Sequence, residues 1–66
     1  MEQQDFDSGY EYARRHHLAT WQGYSTGTLK QLAAVFVSAG SGHALGQARV
    51  IEEILAGRAA NAKTLS

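Results

Sequence analysis

The hydrophobic positions of this chain recur at steps of three and four residues, the spacing of one face of an α-helix. The first such face contains Phe6, Tyr10, Ala13, His17 and Trp21. Ser8, followed three residues later by Glu11, has the form of a capping box, and Gly23 is suited to end a helix. Glu11 and Arg15 are spaced to form an ion pair. The pattern therefore predicts a helix over residues 8–22.

Two further helices are predicted over residues 28–38 and 43–57. Thr28 and Gln31 have the spacing of a second capping box, and Gly40 and Gly42 interrupt the pattern between the two helices. We expect Gly57 to weaken or end the last helix. The fold class predicted is all-α, a small three-helix domain that occupies residues 1–66 and has flexible ends at about 1–6 and 60–66.

The length of the chain limits how much core it can form. A domain of 66 residues buries only about 60% of the surface that its unfolded chain exposes, and there is no cysteine to crosslink it. Such domains rely on well-packed helices or on a partner subunit. The apolar sector of the third helix is wider than one small neighbour covers, so it either meets both other helices or forms a seam between two copies of the chain. We expect a homodimer. The residues predicted to form its self-association surface are Val50, Ile51, Ile54 and Leu55.

Charge argues against two classes of partner. The six basic and six acidic residues cancel, whereas nucleic-acid binders usually carry a basic footprint, so nucleic acid is disfavoured. No membrane association is expected, because the longest apolar run, residues 32–37, is far too short to span a bilayer. The chain begins with acidic and polar residues, unlike a secretory signal, and we expect a cytoplasmic protein.

Residues 35–46 permit an alternative interpretation. An apolar run is followed by Gly40, Gly42 and Gly46 in the pattern G-x-G-x-x-x-G, similar to the phosphate-binding turn between a strand and a helix in dinucleotide-binding folds. Such folds need several parallel strands, and the chain is too short to supply them. A helix–corner–helix is the favoured interpretation, and whether the segment Gly40–Gly46 binds a phosphate stays open.

Side chains that carry chemistry are few and badly spaced for catalysis. The histidines are His16, His17 and His43, and none of their spacings is typical of a metal site. Ser38 and Ser41 lie outside any nucleophile-elbow motif, and Ser41 is expected to cap the third helix. Glu52 and Glu53 are expected to pair with Arg49 on the same helix. The sequence thus predicts no enzyme activity, no metal and no cofactor.

The first helix and the loop after it are rich in the residue types that dominate protein–protein hot spots, namely tryptophan, tyrosine and arginine. The residues predicted to contact a partner are Tyr12, Arg14, Arg15, His16 and Tyr24. The hypothesis is a small non-enzymatic regulator or inhibitor that binds and occludes a larger protein. Abundant alanine and glycine, with arginine exceeding lysine, is typical of bacterial or phage genes.

The alternative function is a helix-turn-helix DNA-binding regulator formed by residues 29–55. Its recognition helix would present His43, Gln47 and Arg49 to the bases. Glu52 and Glu53 on the same helix would oppose binding to phosphates, so this alternative ranks second.

Overall fold

A computed structural model of the chain describes the backbone of residues 2–65 and the side chains of residues 4–62. This part of the chain is all-helical, as predicted, but it forms four helices rather than three. They are α1 (Glu2–His16), α2 (Leu18–Gln22), α3 (Thr26–Ala39) and α4 (Gly42–Leu65). The predicted flexibility of residues 1–6 and 60–66 stays a prediction; residues 2–6 belong to α1 and residues 60–65 to α4, whereas Met1 and Ser66 lie outside the described residues.

The first helix begins at Glu2, so the start predicted at Ser8 is wrong. Ser8 lies in the second turn of α1 and has no free helix end to cap. The acidic residues before it favour this longer helix, because carboxylates stabilise the positive end of the helix dipole. The predicted ion pair between Glu11 and Arg15 does not form, since the ion pairs of residues 4–62 involve only Arg14 and Arg49 on the basic side.

The predicted helix over residues 8–22 is divided at His17. The φ of His17 is −122°, away from helical values, yet its N–H donates to Ala13 O at 2.8 Å and its own carbonyl accepts from Trp21 N at 2.8 Å. The chain therefore bends between α1 and α2 while keeping hydrogen bonds across the bend. Gly23 ends α2 as expected.

The helix starts and corners that follow are set by serine and glycine. Ser25 caps α3, because its Oγ accepts from Thr28 N at 3.2 Å; the cap predicted at Thr28 is three residues too late. Gly40 ends α3 with a φ of 75°, in the left-handed region that favours glycine. Ser41 caps α4 by accepting from Ala44 N at 3.1 Å, as predicted.

The last helix continues through Gly57 to Leu65, so its predicted end is wrong. A glycine inside a helix costs only about 1 kcal/mol relative to alanine, which a long, packed helix tolerates. α4 is the central element of the fold and packs against each of the other three helices. α1 and α2 together run in the same direction as α4, because Tyr10 of α1 reaches Glu53 and the Gln22 carbonyl of α2, farther along the chain, reaches Arg58.

The core is small and lies where α4 meets the other helices. Its fully covered residues are Ala13, Trp21, Leu29, Val50 and Ile51. Partly buried side chains from α3, among them Leu32 and Phe36, complete it. The Trp21 and Phe36 rings lie 5.9 Å apart, so the short α2 contacts α3 through its tryptophan.

Two glycines allow α1 and α4 to cross with their backbones in contact. A Cβ atom on Gly9 would overlap the carbonyl of His43, with the His43 Cα only 2.8 Å away. A Cβ atom on Gly46 would overlap the Phe6 carbonyl and lie 2.7 Å from Tyr10 N. Any larger residue would force the two backbones apart.

The glycine pattern of residues 40–46 is thereby explained without a dinucleotide-binding fold. Residues 35–38 belong to α3, and the described part of the chain contains no strand. The comparison with a strand–turn–helix motif is therefore wrong. Gly40 makes the corner, and Gly46 admits the backbone of α1.

Candidate protein-docking surface

The outward side of α1 presents a shallow cleft lined by Ser8, Glu11, Tyr12, Arg15 and His16, which we call the α1 outer face. Tyr12 lies inside α1, one turn before His16, and is 46% exposed. A helix that packs on α4 through Gly9 and Ala13 necessarily turns Tyr12 and Arg15 towards its flank and outside. The face is thus a direct consequence of the glycine crossing.

Histidine rings surround Tyr12. Its ring centroid lies 4.6 Å from that of His16, 5.4 Å from that of His17 and 5.7 Å from that of His43. His16 is the last residue of α1, His17 lies at the bend between α1 and α2, and His43 comes from the first turn of α4. Contacts from two helices therefore hold an exposed tyrosine ring in place, which lowers the entropy that binding would cost.

Two of these histidines also contact other side chains. For His17 that neighbour is Trp21, which the sequence pattern places on the same helix face. His17 stacks on Trp21 with their centroids 5.0 Å apart, and His43 Nδ1 lies 3.0 Å from Gln47 Nε2. Within the described residues, no three histidine or acidic side chains are grouped as a metal site requires. Tyr12 and the three histidines therefore form an aromatic cluster at the surface.

The two neighbouring arginines of α1 differ in their surroundings. Arg14 Nη1 donates to the Tyr10 hydroxyl at 3.1 Å and lies 3.5 Å from Glu53 Oε1. The pKa of the Arg14 guanidinium is raised, chiefly by its hydrogen bond to and electrostatic interaction with Tyr10 and further by the nearby Glu53 carboxylate. Arg15 has no carboxylate within ion-pair distance among the side chains of residues 4–62. Of the pair, Arg15 keeps its charge available to a partner.

Tyr24 lies far from the α1 outer face. Its carbonyl accepts from Arg58 Nη2 at 2.7 Å near the end of α4, whereas Tyr12 contacts His43 at the start of the same helix. The fifteen-residue separation corresponds to roughly 22 Å along a helix at 1.5 Å per residue. The predicted partner-binding residues therefore divide into three places. Tyr12, Arg15 and His16 lie on the α1 outer face, Arg14 is turned towards Tyr10 and Glu53, and Tyr24, 40% exposed, lies near Arg58.

Arg58 was missed by the sequence analysis. Its guanidinium donates to the Gln22 carbonyl at 3.0 Å, to the Tyr24 carbonyl and to Thr26 Oγ1 at 3.1 Å. These bonds satisfy the end of α2 and hold the loop to α3. No sequence pattern marks such a residue, since two of its partners are backbone carbonyls more than thirty positions away.

The residues predicted for self-association pack in or against the core of the single chain. Val50 and Ile51 are 1% and 0% exposed, so their assignment to a self-association surface is corrected: they are core residues. Ile54 and Leu55 are half-buried against the same core. The wide apolar sector of α4 is covered on one side by α1 and on the other by α3.

Glu52, Glu53 and Gln47 of α4 also contact other residues of the same chain. Arg49 lies 3.8 Å from Glu52 and 3.9 Å from Glu53, which confirms the predicted ion pairs. Gln47, a base-contacting residue in the helix-turn-helix alternative, is buried and 9% exposed.

No family model, curated protein or solved structure matches this chain. In the described residues no helix is both long and apolar enough to cross a membrane.

Proposed function

We propose that this protein is a non-enzymatic protein-binding module that docks its α1 outer face on a larger partner protein and regulates that partner by occlusion. The observation that carries the proposal is the exposed Tyr12 ring, held by three imidazole rings beside Arg15, which has no ion pair among the side chains of residues 4–62. Tyrosine and arginine are the residues whose truncation most often weakens protein–protein binding.

Pre-organisation is what distinguishes Tyr12 from an ordinary exposed side chain. A ring already fixed by His16 and His43 loses little rotational freedom on binding, so more of its contact area contributes to affinity. Its hydroxyl is also available to a partner as donor or acceptor. These properties suit an anchor that fills a pocket of a larger protein.

In this proposal Arg15 fixes the orientation of the partner protein on the α1 outer face. The Arg15 guanidinium has no ion pair with a described carboxylate of its own chain. It can therefore form a charge-assisted hydrogen bond with an acidic or carbonyl group of the partner without giving up an existing ion pair. Arg14, which bonds to Tyr10 and Glu53, acts instead in the fold. Of the predicted contact residues, the proposal therefore depends on Tyr12, Arg15 and His16.

The DNA-binding alternative has less support. A recognition helix inserts the side chains of its first turns into the major groove. In α4 these turns pack against α1, and Gln47, Ala44 and Ala48 are buried. We therefore do not adopt it.

The test is affinity purification from the source cell with wild type and with the double variant Tyr12→Ala/Arg15→Ala. Proteins recovered with the wild type and lost with this variant are identified by mass spectrometry, and the purified candidate is then titrated against both forms. We expect the dissociation constant to rise about a hundredfold or more, as for two hot-spot residues.

The matched control is Gln31→Ala/Val35→Ala, which alters two exposed positions on α3 outside the α1 outer face and should bind as the wild type does. Circular dichroism should show the same helicity for all three proteins. Equal binding by wild type and Tyr12→Ala/Arg15→Ala would refute the proposed docking surface.

A further inference from the structure

A second exposed stripe runs along α4, on the side turned away from α1. Its members are spaced alternately by four and three residues, as in helices that pair with another helix: Leu45, Arg49, Glu52, Ala56 and Ala59. All five are exposed, and Leu45 is 37% exposed. At one end, Ala56 and Ala59 form an apolar groove with Thr26 and Lys30 of α3.

The α3 helix extends this stripe into a broader face. Thr26, Lys30 and Val37 are separated by four and seven residues and so lie on one side of α3, the side that meets the groove. Val37 is 54% exposed there. We call Lys30, Val37 and the five α4 residues together the α3–α4 face. It is opposite in the bundle to the crossing with α1.

The accessible area of the single chain is larger than that expected for a folded monomer of its mass. The chain exposes 4646 Å², whereas a folded monomer of 7.1 kDa exposes about 4,100 Å² by the usual scaling with mass. The shape agrees, since the chain measures 42 × 19 × 18 Å.

We propose that a second copy of this chain covers the α3–α4 face, with the two α4 helices antiparallel about a two-fold axis between Arg49 and Glu52. Such an axis places Leu45 of each chain over Ala56 of the second copy, a large side chain against a small one. It also places Arg49 opposite Glu52 of the second copy. The face is therefore complementary to itself in shape and in charge.

The charges on the face favour a second copy over a different partner. Arg49 and Glu52 already lie 3.8 Å apart within one chain, and their side chains are 58% and 61% exposed. An antiparallel copy exchanges this exposed contact for cross-chain pairs without leaving either charge unpaired. Isologous interfaces require this property, because the same patch must match itself.

Sedimentation equilibrium tests the proposal directly. The wild type should be a dimer, and Leu45→Glu/Ala56→Glu should be a monomer, with a dissociation constant raised about a hundredfold or more, because two pairs of like charges meet, one on each side of the axis. Both substitutions are at exposed helix positions, so helicity should be unchanged. Val35→Glu, at a 64% exposed position on the other flank of α3, is the matched control and should stay dimeric.

Cysteine crosslinking checks the register. The chain has no cysteine, so the double variant Leu45→Cys/Ala56→Cys carries the only thiols and should form a covalent dimer on mild oxidation. Ser8→Cys/Ala19→Cys, with the same sequence spacing on exposed positions of α1 and α2, should not. A monomeric wild type, a dimer that survives Leu45→Glu/Ala56→Glu, or equal crosslinking of the two cysteine variants would overturn the proposal.

Discussion

Gly9 lies so close to His43 that the backbones of α1 and α4 touch at the crossing of the two helices. The contact positions everything on the outward side of α1. It brings His43 within reach of Tyr12, and it leaves Ala13 fully buried one turn later. A small residue at position 9 is therefore a condition both for the fold and for the α1 outer face.

Substitution of the crossing glycines should be strongly destabilising. Gly9→Ala and Gly46→Ala each insert a methyl group into backbone atoms that have no room to yield, and overpacking of this kind costs roughly 1–3 kcal/mol or more. Urea denaturation followed by circular dichroism measures the loss in the free energy of unfolding.

Gly57→Ala is the control for both variants. Gly57 also lies inside a helix, but no atom lies within 4 Å of a Cβ built on it. Alanine there should stabilise the protein by about 0.5–1 kcal/mol through helix propensity alone. If Gly9→Ala and Gly57→Ala changed stability in the same direction, the close crossing would be contradicted.

The helix caps give a second prediction. Ser25→Ala removes the acceptor for Thr28 N and should lower the free energy of unfolding by about 1 kcal/mol. Ser8→Ala should be neutral or slightly stabilising, because Ser8 lies inside α1 and alanine is the better helix former. Thermal denaturation of the two variants compares them. A larger loss for Ser8→Ala would place the start of α1 at Ser8 after all.

Arg58 should matter more for stability than the other arginine of α4. Arg58→Ala leaves the carbonyls of Gln22 and Tyr24 without their donor, and hydrogen bonds from a charged group contribute about 1.5–3 kcal/mol, somewhat less at this half-exposed site. In the monomeric Leu45→Glu/Ala56→Glu background, Arg49→Ala removes only exposed ion pairs worth about 0–1 kcal/mol. Equal effects in chemical denaturation would show that Arg58 does not hold the loop.

The Tyr10 hydroxyl links α1 to α4 and can be tested without changing the packing. It donates to Glu53 at 2.7 Å, so Tyr10→Phe should cost about 1 kcal/mol while keeping the ring in place. In a double-mutant cycle, Glu53→Gln should cost less in the Tyr10→Phe background than in the wild type. Additive effects would mean that the two side chains do not interact in solution.

Local signals in the sequence located the corners of this fold. Gly40 and Ser41 are a glycine and a serine at the places where a helix must stop and another must start, and both do what was expected. His17 beside Trp21 follows directly from helical spacing. The start of α1 did not follow, because a serine and a glutamate three residues apart also occur inside helices. Ahead of Ser8, α1 also contacts α4 where the Phe6 carbonyl lies against Gly46, and periodicity alone does not reveal that long-range contact.

Contacts between distant parts of the chain also decided the outcome at the candidate sites. The breadth of the apolar sector of α4 was recognised, but periodicity does not say whether Val50 is covered by the same chain or by a second one. The exposure of Tyr12 agrees with its prediction, whereas the contacts of Arg14 with Tyr10 and Glu53 depend on how α1 crosses α4. Partner binding itself stays a prediction.

The central position of α4 has a consequence for how the molecule opens. Every other helix rests on α4, so the amide hydrogens around Val50 and Ile51 are released only when all of these contacts are lost together. Their exchange with deuterated solvent should report the unfolding of the whole chain. Amides in α2, a helix of five residues, should exchange earlier through local fraying.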